Sequence, residues 1–242
     1  VDANHILYKL RLKKSANEIA CLREAARIAE CGVKAVLETN IIGMTEIQAA
    51  AIAEYAARKE GAESIIFTLF SSGDRTHTIV GRPSYKIIED GDMIQCGIAV
   101  QYEGYVATCE LPFAVGNMSD QTRRVIDVLF HAYERGIAQI KPGNPMKNMV
   151  RAVRDYFAEV NLSEYDVYPP LHGIGCAEAE SPYPDSDTET LFEPGMVANT
   201  DISLFGLEGG SNRVEAGFVV TEEGYECLSP LVNEKCREWL GQ

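Results

Sequence analysis

Four histidines, seven cysteines and 36 acidic side chains are what this 242-residue chain offers for acid-base, nucleophilic or metal chemistry. The cysteines, at 21, 31, 96, 109, 176, 227 and 236, include no C-x-x-C pair and no zinc spacing. They are expected as reduced thiols of a cytoplasmic protein, serving mainly as small buried apolar residues. Cys176 follows His172 by four positions, but a thiol nucleophile needs an oriented base and none is specified nearby. Gly206 to Gly210 is rich in glycine yet leads into a strand pattern, without the helix N-terminus that cradles a phosphate. His77, on a glycine-containing loop, is by position alone a surface histidine. The carboxylate at Glu110 stands two residues after Thr108, so on a strand the two share a face.

The elements that must position these residues follow from periodicity and caps. Ser15-Ala-Asn-Glu18 is a capping box, and Ile19, Leu22, Ala26, Ile28, Val33 and Leu37 continue at near-helical spacing. A second box, Thr45-Glu-Ile-Gln48, opens a helix to about Lys59. Strand-like runs follow at 64–69, 92–101 and 105–115, with turns at Asp90-Gly91 and Glu103-Gly104. The order then repeats: helices over 119–140 and about 145–160, then strand-like runs at 167–169, 196–204 and 212–221. Matching landmarks recur about a hundred positions apart, Gly43-Met44 with Gly143-Asn144 and Gly91-Asp92-Met93 with Gly195-Met196-Val197. The expectation is an α+β fold, one domain over 1–242, with helix-helix-strands halves at about 15–116 and 117–230 around a curved antiparallel sheet. Alternation puts Gln95 and position 97 on one face and Cys96 on the other. It likewise parts Thr108 and Glu110 from Cys109, so Cys96 and Cys109 are expected in the core.

Composition narrows the function classes. With 22 basic against 36 acidic residues the net charge is −14, which repels phosphate backbones and anionic membranes, so neither nucleic acid nor membrane is expected as a partner. No run approaches the roughly 18 apolar residues of a membrane span, and Val1 to Lys14 mixes basic and apolar residues without a signal-peptide order.

Several segments then occur in a telling order: Arg11-Leu-Lys-Lys-Ser15 with Glu18, Gly91-Asp-Met-Ile94, Gly104-Tyr105, His172-Gly-Ile-Gly175, Glu193-Pro-Gly-Met-Val197, Asn212-Arg-Val-Glu215 and Thr221-Glu-Glu-Gly224. Together they resemble the pita-bread superfamily of methionine aminopeptidase, prolidase and creatinase, over about residues 10 to 230. The resemblance implies the pita-bread fold and, since two-domain members carry an N-terminal domain before this point, a catalytic domain without it. Metal-dependent members hold two divalent ions on two Asp, one His and two Glu. The resemblance places these on Gly97, Thr108, His172, Asp201 and Glu215, where two carboxylates are missing. A second histidine of the peptidases corresponds to Ala179.

Glu110 stands where the metallopeptidases usually carry Thr and where creatinase, the metal-free member, carries Glu. The resemblance also implies an acid-base histidine on the loop of His77. The expected activity is therefore a metal-independent, creatinase-like hydrolysis of a carbon-nitrogen bond in a small cationic compound. His77, Glu110 and Glu215 would be catalytic, His172, Thr108 and Asp201 would bind substrate, and no cofactor or metal is expected. His77 would activate water while the two glutamates clamp the cation. Val106, where creatinase has an aromatic residue, argues against creatine itself, and Arg75, Arg82 and Arg213 are candidates for a substrate carboxylate. Glu178 and Glu180 read as a solvated loop. The alternatives are an Xaa-Pro or amino-terminal peptidase with a reduced metal site, and an inactive pita-bread binding module. A small-molecule substrate and a homodimer complete the expectation.

Overall fold

The structure, a computed structural model, describes residues 3–242, residue 5 by its backbone only. Helix α1 (Asn4–Leu12) leads to α2 (Ala16–Leu37) and α3 (Glu46–Lys59). The last two begin at the expected capping boxes: Ser15 Oγ accepts from the Glu18 amide while the Glu18 carboxylate accepts from the Ser15 amide, and Thr45 and Gln48 repeat the exchange. Strands β1 (Ser64–Ser72), β2 (Met93–Tyr102) and β3 (Tyr105–Ala114) follow, then α4 (Asp120–Ile137) and α5 (Met146–Glu159). The chain closes with β4 (Leu171–Gly173), β5 (Val197–Leu204), β6 (Asn212–Val220), β7 (Tyr225–Cys227) and α6 (Pro230–Leu240).

All strands join one antiparallel sheet of order β1-β2-β3-β6-β5-β4, with β7 on the outer part of β6. The order runs forward through the first three strands and backward through the second three, so β3 and β6 meet in the middle. Helix α2 lies over β2 and β3, and α4 over β5 and β6. The helix-facing side of the sheet is apolar, and Cys96, Ile98, Cys109 and Leu111 are buried there with Ala29 and Val33 of α2. At Gly32 a Cβ would stand 3.0 Å from the Ala53 carbonyl oxygen, so glycine is what lets α2 lie this close to α3.

Three differences from the sequence reading have local causes. The strand expected at 167–169 forms instead at Leu171–Gly173, because Pro169 and Pro170 bring no amide hydrogen to a ladder. Helix α6 was not anticipated, although Pro230 in its first turn and Gly241 in the left-handed conformation at its end are the usual helix start and stop. Helix α1 was also missed. It leaves Ile6, Leu7 and Leu10 exposed, so it lacks the one-sided burial that periodicity detects.

Candidate active site

The sheet face turned away from the helices carries charge. Register places Gly97 opposite Glu110, Glu110 opposite Glu215, and Glu215 opposite Asp201, one row across β2, β3, β6 and β5. Adjacent members of such a row lie about 5 Å apart, close enough for three carboxylates to repel one another strongly unless a cation intervenes. Arg213, two residues before Glu215 and on the same face, supplies it. Its Nε lies 3.2 Å from Asp201 Oδ1 and 4.0 Å from Glu110 Oε2, and Nη1 is 3.9 Å from Glu215 Oε2. The guanidinium carbon also lies over two aromatic rings, 5.0 Å from the Tyr168 centroid and 5.5 Å from that of Phe205. All four charged residues are 5% exposed or less, so their fields are weakly screened.

His172, on β4 opposite Asn199, reaches the same cluster: its Nε2 is 3.6 Å from Glu215 Oε1 and 3.9 Å from Glu178 Oε1. Its Nδ1 is 3.0 Å from the Gly173 carbonyl oxygen, which only accepts, so Nδ1 carries a hydrogen. Asn199 Nδ2 donates to Glu215 Oε1. Several buried atoms nevertheless have no hydrogen-bond partner: Thr108 Oγ1, both oxygens of Glu110, Asp201 Oδ1 and Glu215 Oε2. Such a concentration of unsatisfied polar atoms is unusual in a folded interior.

The electrostatics follow from burial. Desolvation lifts the Glu110 carboxyl to about 8, with Arg213 opposing and Glu215 and Asp201 adding to the rise. Burial likewise raises Asp201 to about 7 against the pull of Arg213, and Glu178 to about 7 with help from Glu215. For His172 burial alone would lower the value, but Glu215, Glu178 and Asp201 outweigh it and hold the imidazole up at about 9. Arg213 is held above its ordinary value, because Glu110, Asp201 and Glu215 outweigh its own desolvation.

A cavity of about 870 Å³ opens onto this cluster. His172, Glu178, Asp201 and Arg213 give it a charged floor, while Phe67, Val80, Pro83, Tyr168 and Tyr183 are among the residues of its largely apolar walls. Of the residues singled out from sequence, Glu110, His172, Thr108, Asp201 and Glu215 lie on or beside this row. Glu110 and Glu215 sit beneath the cavity rather than lining it, and His77 stands apart. His77 ends a 3-10 turn (Gly73–His77), is exposed, and has its Nδ1 3.4 Å from Ser211 Oγ; its loop presents Val80 and Arg82 to the cavity instead. Arg75 is spent on Glu46, 3.0 Å away.

Residues 178 and 180 are not a solvated loop. Glu180 is buried against Arg11 and Lys14, and Glu178 lines the cavity. Glu178 had no periodic signal to reveal it, since the segment from 174 to 196 is irregular. Asn199 could have been found, because it alternates with Asp201 on one strand face.

The five positions that hold a metal pair in the superfamily do not fit one here. A Cβ at Gly97 would lie 2.5 Å from Glu110 Oε2, so the Glu110 side chain fills the room of the missing first carboxylate. Thr108 offers a hydroxyl in place of the second. The guanidinium of Arg213 already stands among the remaining carboxylates, as a positive charge where further cations would have to go.

Comparison with known proteins gives a consistent result. The model of metallopeptidase family M24 matches residues 20–222. The peptidase YqhT of Bacillus subtilis (strain 168), itself uncharacterized, is 36% identical over 222 residues, covering 91% of this chain and 63% of the relative. The Xaa-Pro dipeptidase of Pyrococcus furiosus is 28% identical over 95% of this chain and 66% of its own length. A solved structure of a prolidase from Pyrococcus furiosus superimposes with a TM-score of 0.89 at 28% identity, covering 93% of this chain and 67% of that one. An Xaa-Pro dipeptidase from Bacillus anthracis gives 0.88 at 32% identity, over 93% and 63% of the two chains. The chain thus spans about two thirds of these relatives' length. Their names overturn the creatinase-like reading in favour of the peptidase alternative. The site gives a physical reason: the Glu110 carboxylate expected to clamp a substrate cation is buried beneath the cavity and already faces Arg213.

Proposed function

The chain belongs to metallopeptidase family M24, and from that premise we propose that it hydrolyses the amino-terminal peptide bond of short peptides at a reduced metal site, with Xaa-Pro dipeptides as the leading substrates. The observation that carries this reading is the cavity itself. Its floor sets carboxylates beside a guanidinium, and its walls are mainly apolar and aromatic. A free α-ammonium is attracted to the carboxylates, a scissile carbonyl oxygen finds N–H donors on Arg213, and apolar side chains such as a proline ring bury against Tyr168 and Tyr183. In the hydrolysis, water adds to the carbonyl carbon, the carbon-nitrogen bond breaks, and the proton lost by water goes to the departing amine. Asp201 is the member of the carboxylate row that lines the cavity, and in this reading it carries that proton.

The remaining expectations belong to the same reading: a homodimer in the cytoplasm acting on a small peptide. Seven free cysteines among the described residues agree with a reducing compartment, and no helix there is long and apolar enough to cross a membrane. Light scattering at micromolar concentration checks the dimer.

The activity is tested with dipeptides of Xaa-Pro and Xaa-Ala type, their N-acetylated forms and creatine, by chromatography of the products with and without added divalent ions. The expected result is cleavage of free-amino dipeptides and none of the acetylated ones. Absence of cleavage of every free-amino dipeptide, or equal cleavage of the acetylated set, overturns the proposal.

A further inference from the structure

We propose that His172, Glu178 and Glu215 form a binding site for a single divalent transition ion, with zinc as the best chemical fit, displaced from the superfamily's pair of sites by recruiting the loop carboxylate Glu178. One atom from each residue can be chosen so that all three lie within 4.8 Å of one another. The individual distances are more telling. At 3.6 and 3.9 Å, the approaches of Glu215 and Glu178 to His172 Nε2 are too long for hydrogen bonds. A tetrahedral ion with bonds of about 2.0–2.2 Å holds its ligand atoms roughly 3.3–3.6 Å apart, so the observed gaps are close to the width of an ion.

Independent features agree. Glu215 Oε1, the oxygen turned toward His172, belongs to a side chain 1% exposed, so little bulk water competes with an ion for it. The ligands are also held as metal ligands are held. His172 gives its Nδ1 hydrogen to the Gly173 carbonyl, which turns Nε2 toward the carboxylates, where an ion would take the place of the Nε2 proton, and Asn199 Nδ2 fixes Glu215. One imidazole with two carboxylates and an open fourth position is a donor set suited to zinc, and the cavity gives that position access to solvent. Charge points the same way. A divalent ion on the Glu178 side would add positive charge beside buried carboxylates without displacing the guanidinium, which lies 3.2 Å from Asp201. The ion binds whether or not a peptide is cleaved, so this proposal stands apart from the peptidase reading.

The test uses the full chain stripped by a chelator, titrated with zinc by calorimetry and with cobalt by its visible absorption. One equivalent is expected, with the absorption of a four-coordinate cobalt site. Glu178→Gln is expected to weaken binding at least about 10-fold while circular dichroism and Tm show an intact fold. Asp201→Asn, which alters a residue on the Arg213 side, is expected to change affinity only a few-fold. No binding, or two equivalents, overturns the proposal. So does the reverse pattern, in which Asp201→Asn abolishes binding and Glu178→Gln does not, because the ion then occupies the superfamily positions. Retention by both variants would mean adventitious binding and likewise overturns it.

Discussion

The carboxylate row has two ends built on opposite principles. At the β2-β3 end, Gly97 and Glu110 interlock: the missing side chain of one is the space occupied by the other. At the β5-β6 end, Asp201 lines an open cavity with Glu215 beneath it, and His172 and Glu178 are drawn in beside them. The comparison teaches that removing a ligand does not leave a hole of its own shape. A neighbouring strand residue filled the first end, an arginine took up charge at the centre, and only the second end kept room for chemistry.

Removing the central cation should break this arrangement most severely. Arg213→Met leaves Glu110, Asp201 and Glu215 buried around an apolar chain, and loss of one partner from such a cluster costs about 3–5 kcal/mol. In a chain of this size roughly 2–4 °C of Tm accompanies each kcal/mol, so calorimetry should show a fall of about 6 °C or more. An unchanged Tm would mean that the carboxylates do not depend on Arg213.

Next in size is Gly97→Asp. Its Cβ would sit 2.5 Å from Glu110 Oε2, and overpacking of this kind costs about 1–3 kcal/mol before the added charge is counted. Adding Glu110→Thr and Thr108→Asp makes room and restores both missing ligands. The triple variant should therefore recover stability on adding divalent ions and take up one more equivalent than the parent. A single Gly97→Asp variant as stable as the parent would show that the two positions do not interlock.

The pH dependence sharpens the same contrast. Glu110 at about 8 and Asp201 at about 7 lie above ordinary carboxyl values because burial disfavours their charge, so the folded state binds more protons than the unfolded chain between pH 4 and 8. Stability therefore falls as pH rises through that window. His172, raised to about 9, adds stability that is complete below about 6.5 and lost as pH climbs through 9. Tm of the chelator-treated protein should decline from pH 5 to 9, and Glu110→Gln should flatten the slope. A Tm that climbs steadily over this range would contradict the burial of these groups.

The smallest effect is expected at His77. It is exposed and its Nδ1 lies 3.4 Å from Ser211 Oγ, so His77→Ala should shift stability by no more than about 0.5 kcal/mol and leave dipeptide turnover in place. Loss of turnover would bring this loop into the reaction despite its distance from the cavity lining.

The sequence by itself determined what local spacing can encode. Ser15 with Glu18 and Thr45 with Gln48 start their helices as read, because a cap acts over three residues. Alternation sorted Cys96 and Cys109 to the helix-covered side and Gln95, Thr108 and Glu110 to the other, because the strand period needs no knowledge of the partner strand. Tertiary structure alone decided which of those residues meet. Glu110, Glu215 and Asp201 form a row because three strands over a hundred residues apart at their extremes pair in one register, and a slip by a single residue would turn every second side chain away. The choice of Val80 over His77 at the cavity, and the arrival of Glu178 beside His172, belong to irregular segments whose backbone follows no period. Their side chains are aimed by what the loops pack against, information that spacing along the chain does not contain.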